Sequence, residues 1–183
     1  RVVDTGIEYI IHPNLNKLWL IGFHKDRLFG VPTGDRNRMV FSENPGNPSN
    51  SPAGEQWYYA WLSVSFIYIP RPKNGSPITA LIPFQDNLII FTQDKKYSLS
   101  GTDRGNYFLR EATGNEGALS ARGVVSDANY IYFTTPTGIN RWNGAKDEEI
   151  SSLIRPLYMK CPDKRDITLA LWNDTVRAYM NSE

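Results

Sequence analysis

The sequence predicts an all-β fold, built as a β-propeller-like array of antiparallel four-stranded blades. Two patterns and the composition support this prediction. Short apolar runs alternate along the chain with turn clusters of Gly, Pro, Asn and Asp, which is typical of strands joined by tight turns. The same strand-turn-strand pattern recurs at intervals typical of propeller blades. Aromatic residues, which favour strands, make up 13% of the chain.

The central part of the chain is the clearest example of the repeated unit. Residues 78–84 and 88–92 are apolar strand candidates, and the Gln-Asp-Asn sequence between them predicts a tight turn, because Asp and Asn can bond their own backbone. A third strand is expected at residues 96–100, where apolar and polar residues alternate. Residues 107–112 are expected to add the outer strand.

Imperfect copies of this unit occupy the rest of the chain. The approximate blades are residues 17–69, 78–112, 118–152 and 166–183. Each copy has an aspartate in its first turn, with an apolar strand on either side, and these repeat turn positions are Asp26, Asp86, Asp127 and Asp174. Their spacings of 60, 41 and 47 residues are close to the length of one blade. A β-sandwich or barrel with hairpins of similar length is the alternative fold.

Residues 1–183 are interpreted as a single all-β domain or as a fragment of a larger propeller. Three and a half blades are too few for most closed propellers. We therefore expect further blades in a longer parent chain, or completion of the last blade by a strand at residues 7–11. The chain begins without Met, which also favours a fragment of a longer polypeptide.

Three segments differ from the simplest repeat. Residues 43–55 form a loop rich in Pro and Gly, where neither a helix nor a central strand is expected. Residues 56–69 are rich in aromatic residues and are interpreted as one or two strands, including the outer strand of the first copy. The outer strand of the third copy is expected at residues 149–151. Residues 152–158 are interpreted as a short helix or a crossing segment.

Charge and apolar content argue against two broad classes of function. Lys and Arg total 20 against 19 Asp and Glu, a net charge of +1, so no strong global field attracts nucleic acid or a membrane surface. No apolar run approaches the ~18 residues of a membrane-spanning helix. The single cysteine, Cys161, cannot form an internal disulfide, and we expect a partly buried thiol.

The sequence carries no recognisable catalytic or metal-binding motif. His12 stands beside a proline and His24 lies in a predicted turn, and no cysteine is near either, so the two do not form a metal-ligand cluster. A Gly-x-Ser-x-Gly elbow and a Gly-rich phosphate loop are both absent from the sequence. We therefore predict a protein without enzymatic activity, cofactor or metal.

One turn cluster partly resembles the Asp box, a motif of sialidase propellers. Asp103, Gly105 and Phe108 occupy positions of the motif, whereas Gly101 stands where Ser or Thr is usual. The box is a folding turn, so we do not expect Asp103 to be catalytic. A glycosidase, the third functional class considered, would need two carboxylates facing each other at about 5 to 10 Å.

The most aromatic cluster consists of Trp57, Tyr58, Tyr59 and Trp61. Such rings bury a large area and have few rotatable bonds to order. We identify these four residues as a candidate protein interface or glycan-stacking surface. Ordinary core packing is the alternative interpretation.

Several strand-and-turn runs resemble the propeller region of the tail tubular protein B family, the nozzle components of short-tailed bacteriophages. The central runs are LIPFQDNLIIF at residues 81–91 and YSLSG at residues 97–101. Further runs lie within residues 26–29, 38–43 and 130–144. The Pro-rich loop is not required by the family pattern.

The resemblance implies a structural protein of the virion tail, which assembles without catalysis into a nozzle or adaptor ring around the DNA exit channel. It implies other phage tail proteins and further copies of the chain as partners, with DNA in a central channel as an additional contact. The alternative function is a carbohydrate-binding propeller that recognises a receptor or host glycan through Trp57, Tyr59 and Trp61.

Overall fold

A computed structural model describes residues 2–4, 7–9, 17–42, 65–70, 76–173 and 175–180, with side chains for all but the first two ranges. Over these residues the fold is all-β, as predicted, with antiparallel strand pairs throughout and one short α-helix. The described strands form three four-stranded sheets and two two-stranded sheets. Closure into a propeller stays a prediction.

The chain divides into two compact units. The first comprises Arg1–Arg71 and Gly101–Tyr107, and the second comprises Pro72–Ser100 and Phe108–Glu183. Each unit contains at least one four-stranded sheet whose strands follow one another in chain order. Sequential antiparallel strands of this kind are joined by short turns, which explains the frequency of turn residues in the sequence.

The first unit contains a hairpin and the sheet that we call the first meander. The hairpin pairs β1 (Val2–Asp4) with β2 (Ile7–Tyr9). The first meander consists of β3 (Leu18–His24), β4 (Arg27–Pro32), β5 (Arg38–Phe41) and β6 (Phe66–Tyr68). β2 pairs with β1, and the expectation that a strand at residues 7–11 completes the last blade stays a prediction.

One face of the first meander forms the core of the first unit. Phe29, Val31, Met39 and Phe41 are buried on this face. Tyr107 packs edge-on against two of these rings, with centroid distances of 6.1 Å to Phe29 and 5.1 Å to Phe41. Edge-to-face pairs of this kind contribute about 0.5–1.5 kcal/mol each beyond the area they bury.

The first turn of this meander begins later than the sequence predicts. Lys25 and Asp26 form a two-residue turn with φ of 46° and 61°, and positive φ at both positions is the type I′ geometry that suits a twisted hairpin. His24 pairs with Arg27 as the last residue of β3 and is buried, with its ring 6.5 Å from that of Phe29. The prediction that His24 lies in the turn is therefore wrong.

The second unit begins with the second meander. It consists of β7 (Ile78–Phe84), β8 (Asn87–Thr92), β9 (Lys96–Ser100) and β10 (Phe108–Glu111). The predicted bounds of β7 and β9 are confirmed, and those of β8 and β10 differ by one residue at one or both ends. The turn between β7 and β8 has Gln85 at φ 52°, which is the first position of a primed hairpin turn.

The third meander consists of β11 (Val124–Ser126), β12 (Ile131–Thr134), β13 (Ile139–Trp142) and β14 (Asp147–Glu149). Its outer strand lies two residues before the predicted position at 149–151. The reason is the turn at Asn143, whose Oδ1 accepts hydrogen bonds from the backbone N–H groups of Ala145 and Lys146, both at 3.0 Å. Pairing resumes immediately afterwards, with Trp142 opposite Asp147.

A short helical segment follows the third meander, and its presence confirms the helix interpretation of residues 152–158. A 3₁₀ turn at Ser152–Ile154 leads into α1 (Arg155–Lys160). Tyr158 is buried beneath this helix and donates a hydrogen bond to the carbonyl oxygen of Thr135 at 2.5 Å. No helix in the described ranges has the length and apolar character needed to cross a membrane.

The chain then forms the final hairpin, which pairs β15 (Thr168–Trp172) with β16 (Thr175–Tyr179). Within the second unit, β7 contacts β11 and β11 contacts β15, so the first strands of successive sheets are neighbours. This is the arrangement expected when sheets are stacked with their first strands on the inside.

Two apolar clusters fill the spaces between these sheets. The first joins the second and third meanders, and its buried members are Ala80, Phe84, Ile89, Phe91, Ala118, Val124, Ile131, Phe133 and Trp142. The second joins the third meander, α1 and the final hairpin, and its buried members are Ile139, Tyr158, Cys161, Ile167 and Leu169. The thiol expected to be partly buried is thus buried in a core cluster.

A buried ion pair crosses the first of these clusters. Lys96 on β9 is fully buried, and its Nζ donates to the Asp147 carboxylate at 2.8 and 3.0 Å and to the carbonyl oxygen of Glu116 at 2.6 Å. The rings of Phe133 and Trp142 lie 4.9 and 5.8 Å from the same nitrogen. Burial lowers the pKa of Lys96, and the hydrogen bond and negative charge of Asp147 oppose this effect.

Replacing one member of this pair is predicted to destabilise the second unit strongly. Lys96→Met leaves the largely buried Asp147 carboxylate without its cation, which typically costs about 3 to 5 kcal/mol. The double variant Lys96→Met/Asp147→Leu removes both charges and is expected to recover at least half of that loss. Urea unfolding of the unmodified chain and the two variants measures the change in the free energy of unfolding.

The neighbouring Lys95 provides the matched control. Its ammonium pairs with Glu111 at 2.5 Å, but both side chains are about half exposed, so Lys95→Met should cost less than about 1 kcal/mol. If Lys95→Met and Lys96→Met lowered the free energy of unfolding equally, the structural importance of the buried pair would be contradicted.

Candidate functional site

The aromatic site residues predicted from the sequence cannot be placed. Trp57, Tyr58, Tyr59 and Trp61 lie outside the described residues. The same is true of Asp174, the last of the repeat turn positions. Their assignments stay predictions, and the candidate sites below are built from other residues.

The described repeat aspartates lie in the first hairpin of their meanders but have different roles. Asp26 and Asp86 are each the second residue of a two-residue turn. Asp127 instead begins a longer loop, and its Oδ1 accepts hydrogen bonds from the N–H groups of Asn129 and Tyr130, both at 2.7 Å. Asp26 and Asp86 therefore occupy turn positions, and Asp127 shapes its loop through side-chain hydrogen bonds. In the part of the chain that is described, no three His, Cys, Asp or Glu side chains are grouped to hold a metal ion.

The Asp127 loop is also tied to the adjacent strand. The Tyr132 hydroxyl donates to Asp127 Oδ2 at 3.0 Å. Burial alone would raise the pKa of the Asp127 carboxyl, but the hydrogen bonds from Asn129, Tyr130 and Tyr132 together outweigh it and lower the pKa below 3.8. The ionised carboxylate is therefore the form that the folded loop favours.

The turn that resembles the Asp box is held by its own side chains. Asn106 Oδ1 accepts hydrogen bonds from two backbone N–H groups, and Asp103 Oδ1 accepts one from Gly105 at 2.8 Å. Gly101 has φ 102°, and a Cβ there would lie 2.4 Å from the carbonyl oxygen of Asn106, so glycine is required where the motif usually has Ser or Thr. The interpretation of Asp103 as a turn residue is confirmed.

An exposed apolar surface covers the face of the first meander opposite its core. We call it the aromatic face, and it consists of Trp19, Ile21, Phe23, Phe66 and Tyr68. Their exposed fractions range from 38% for Phe66 to 62% for Ile21. Single exposed apolar residues are common on protein surfaces, but a group on one sheet face is not.

Strand register explains why these side chains share a face. Ile21 lies opposite Gly30, Gly30 opposite Val40, and Val40 opposite Phe66. Side chains two residues apart on a strand point to the same face. Trp19 and Phe23 therefore share the face of Ile21, and Tyr68 shares the face of Phe66. Gly30 carries no side chain, and the Leu18 side chain lies over it, since a Cβ at Gly30 would be 2.9 Å from a Leu18 methyl carbon.

Two arginines hold the aromatic rings in place. The guanidinium of Arg36 lies 4.0 Å from the centre of the Trp19 ring, and that of Arg38 lies 5.8 Å from the centre of Phe66. Phe66 and Tyr68 also meet edge to face at 5.4 Å. Cation–π contacts at exposed sites are worth about 0.5–1 kcal/mol each, so these rings are partly ordered in the isolated chain.

The aromatic face is not evident from the sequence. Residues 18–23 read Leu-Trp-Leu-Ile-Gly-Phe, an apolar run in which no polar alternation distinguishes the two faces. One sequence signal was available. A strand that is covered on one side only needs apolar residues on that side, whereas both faces of β3 are apolar. Identifying which residues were exposed needed the register with β4, β5 and β6.

The second unit contains a polar cleft between the second and third meanders. Its floor includes Phe84 and Trp142, and Gln85, Ser98 and Arg110 are among the polar residues that line it. The cleft opens on the face of the second meander that elsewhere supplies the apolar cluster. It is the second candidate site considered.

Comparison with known proteins does not assign either surface. No protein-family model matches the chain, and no curated protein matches its sequence. Function is therefore argued from the exposed aromatic face and from the polar cleft.

Acid unfolding is predicted to depend on Asp127. Because the pKa of this carboxyl is lower in the folded chain than the ordinary 3.8, its stabilising effect is present above pH ~4 and is lost as the pH falls through the folded-state pKa. Asp127→Asn should therefore lower stability at pH 7 and make the change in stability between pH 4 and pH 2 smaller. Urea unfolding midpoints at pH 7, 4, 3 and 2 measure this slope.

Tyr132→Phe removes the hydroxyl that donates to Asp127 Oδ2 at 3.0 Å, one of the hydrogen bonds that lower the pKa of Asp127. This variant should also reduce the acid-side slope, but by less than Asp127→Asn. A slope for Asp127→Asn equal to that of the unmodified chain would disprove the role given to the Asp127 loop.

Proposed function

We propose that this chain is a non-enzymatic structural component of a phage virion tail, part of a nozzle or adaptor ring that forms through protein–protein contacts. The observation that carries the proposal is the aromatic face of the first meander. Contiguous exposed apolar patches of this kind mark interaction surfaces. The resemblance of the strand-and-turn runs to tail tubular proteins supports the choice of assembly.

The composition of the aromatic face favours a protein partner. The centres of protein interfaces are enriched in Trp, Tyr, Phe and Arg and depleted in Lys, Glu and Asp. Trp19 with Arg36 and Phe66 with Arg38 reproduce that combination. Rings that are ordered before binding lose less conformational entropy when a partner packs on them.

The net charge suits repeated contacts between copies. A value of +1 for 183 residues produces little long-range repulsion between identical subunits. In this proposal the partners are further copies of the chain and other tail proteins, and DNA passes through a central channel. The alternative, glycan recognition by Trp57, Tyr59 and Trp61, stays a prediction.

Loss of the aromatic face is predicted to weaken assembly. The variant Trp19→Ser/Phe23→Ser removes two exposed rings, and interface anchors of this type contribute about 2 kcal/mol or more each. We expect the full-length protein to form a ring or a defined complex with its tail partners, and the variant to need at least roughly 30-fold higher concentration to do so. Light scattering after gel filtration, alone and with the tail partners, gives the masses.

The matched control is Trp172→Ser/Phe108→Ser, which removes the same residue types at sites that are 63% exposed in each case and lie outside the aromatic face. This variant should assemble as the unmodified protein does. The proposal fails if the unmodified protein is monomeric both alone and with tail partners, or if both variants lose assembly equally.

A further inference from the structure

The polar cleft of the second unit has the size of a small ligand site. Its volume is about 310 Å³, at the lower end of the ~300–1,000 Å³ typical of such sites. The rings of Phe84 and Trp142 form an apolar floor and lie 5.8 Å apart. Residues of the β7–β8 turn and of the β9–β10 pair provide the polar walls.

Strand register places two polar residues on the same face of the second meander as residues of the apolar cluster. Ile89 lies opposite Ser98, and Ser98 lies opposite Arg110, so all three occupy one face of the second meander. Ile89 and Phe91 on this face belong to the apolar cluster shared with the third meander. Ser98 and Arg110 extend the same face into the cleft.

Among the described residues, these polar side chains have no hydrogen-bond partner. Ser98 is only 4% exposed, yet its hydroxyl makes no hydrogen bond within the described part of the chain, and the same holds for the side chains of Gln85, Asn87 and Arg110. Gln85 and Arg110 are exposed and Asn87 is half-buried, so their polar groups are open to the cleft. These groups and the Ser98 hydroxyl are available to bind a polar occupant.

The charge in the cleft is positive. Arg110 lines it without an acidic partner among the described residues. Glu111 also borders the cleft, but its carboxylate accepts a hydrogen bond from Lys95 at 2.5 Å. The Thr113 hydroxyl is similarly engaged, since it donates to the carbonyl oxygen of Gly144 at 2.9 Å.

We propose that this cleft binds an acidic sugar residue, a pyranose ring that carries a carboxylate. The guanidinium of Arg110 matches a carboxylate, which it can bind through two parallel hydrogen bonds. The amides of Gln85 and Asn87 and the hydroxyl of Ser98 can each donate and accept, as neighbouring sugar hydroxyls require. The apolar floor accommodates the C–H face of the ring.

This site does not depend on assembly through the aromatic face. The aromatic face belongs to the first unit and the cleft to the second. It also uses none of the aromatic residues at positions 57–61, so it is a separate place for glycan recognition. Failure of one proposal leaves the other standing.

The experiment is an NMR titration of the isotopically labelled chain with methyl glucuronide and, in parallel, methyl glucoside. We expect saturable shifts at the amides of Gln85, Asn87, Ser98 and Arg110 with the glucuronide, and affinity at least tenfold weaker for the neutral glucoside. Arg110→Gln should weaken glucuronide binding by about 10-fold or more, the range for hydrogen bonds to a charged group, and should abolish the preference for the acid.

Arg177→Gln is the matched control, because Arg177 is exposed on β16 in the same unit and does not line the cleft. It should bind glucuronide as the unmodified chain does. Ser98→Ala tests the buried hydroxyl and should weaken binding of both sugars about equally. The proposal is overturned if neither sugar shifts these amides at millimolar concentration, or if Arg110→Gln and Arg177→Gln bind the glucuronide equally.

Discussion

The buried ammonium of Lys96 constrains the second unit more than any other group. Its three protons meet the Asp147 carboxylate and the carbonyl oxygen of Glu116, so a fully desolvated charge is left with no unmet hydrogen bond. An unpaired buried charge would cost several kcal/mol. Among ways of stacking the second and third meanders, those that separate Lys96 from Asp147 are therefore strongly disfavoured. The apolar cluster supplies most of the favourable energy, and the ion pair selects the arrangement.

The two candidate surfaces share a physical signature. On the aromatic face, large apolar side chains lie where solvent would favour polar ones. In the cleft, Ser98 and Arg110 continue the sheet face that elsewhere packs in the apolar cluster. Both surfaces therefore offer contacts that the described part of the chain does not use. In a chain without a catalytic motif, residues whose polarity does not match their surroundings are the most informative about function.

Strand positions were largely predictable, and their exceptions have local causes. The central meander was predicted well because its apolar runs are bounded by turn residues on both sides. The outer strand at Asp147–Glu149 was misplaced because Asn143 closes its turn with side-chain hydrogen bonds that composition does not reveal. The sequence prediction placed His24 in the turn with Lys25 and Asp26, although the strand pair continues through it. Neither the aromatic face nor the cleft was identified from the sequence.

The amino-acid sequence by itself determined the fold class, the strand-and-turn repeat and the turn role of Asp103, since these depend on residues close together along the chain. The tertiary structure alone decided which side of β3 is exposed, which carboxylate neutralises Lys96, and which polar groups surround the cleft. Some of these features involve contacts between residues far apart in sequence, such as Lys96 and Asp147. Others depend on strand register, since a shift of one residue would move every side chain of a strand to the opposite face. A local pattern can specify a strand, but only the pairing of strands specifies what each face meets.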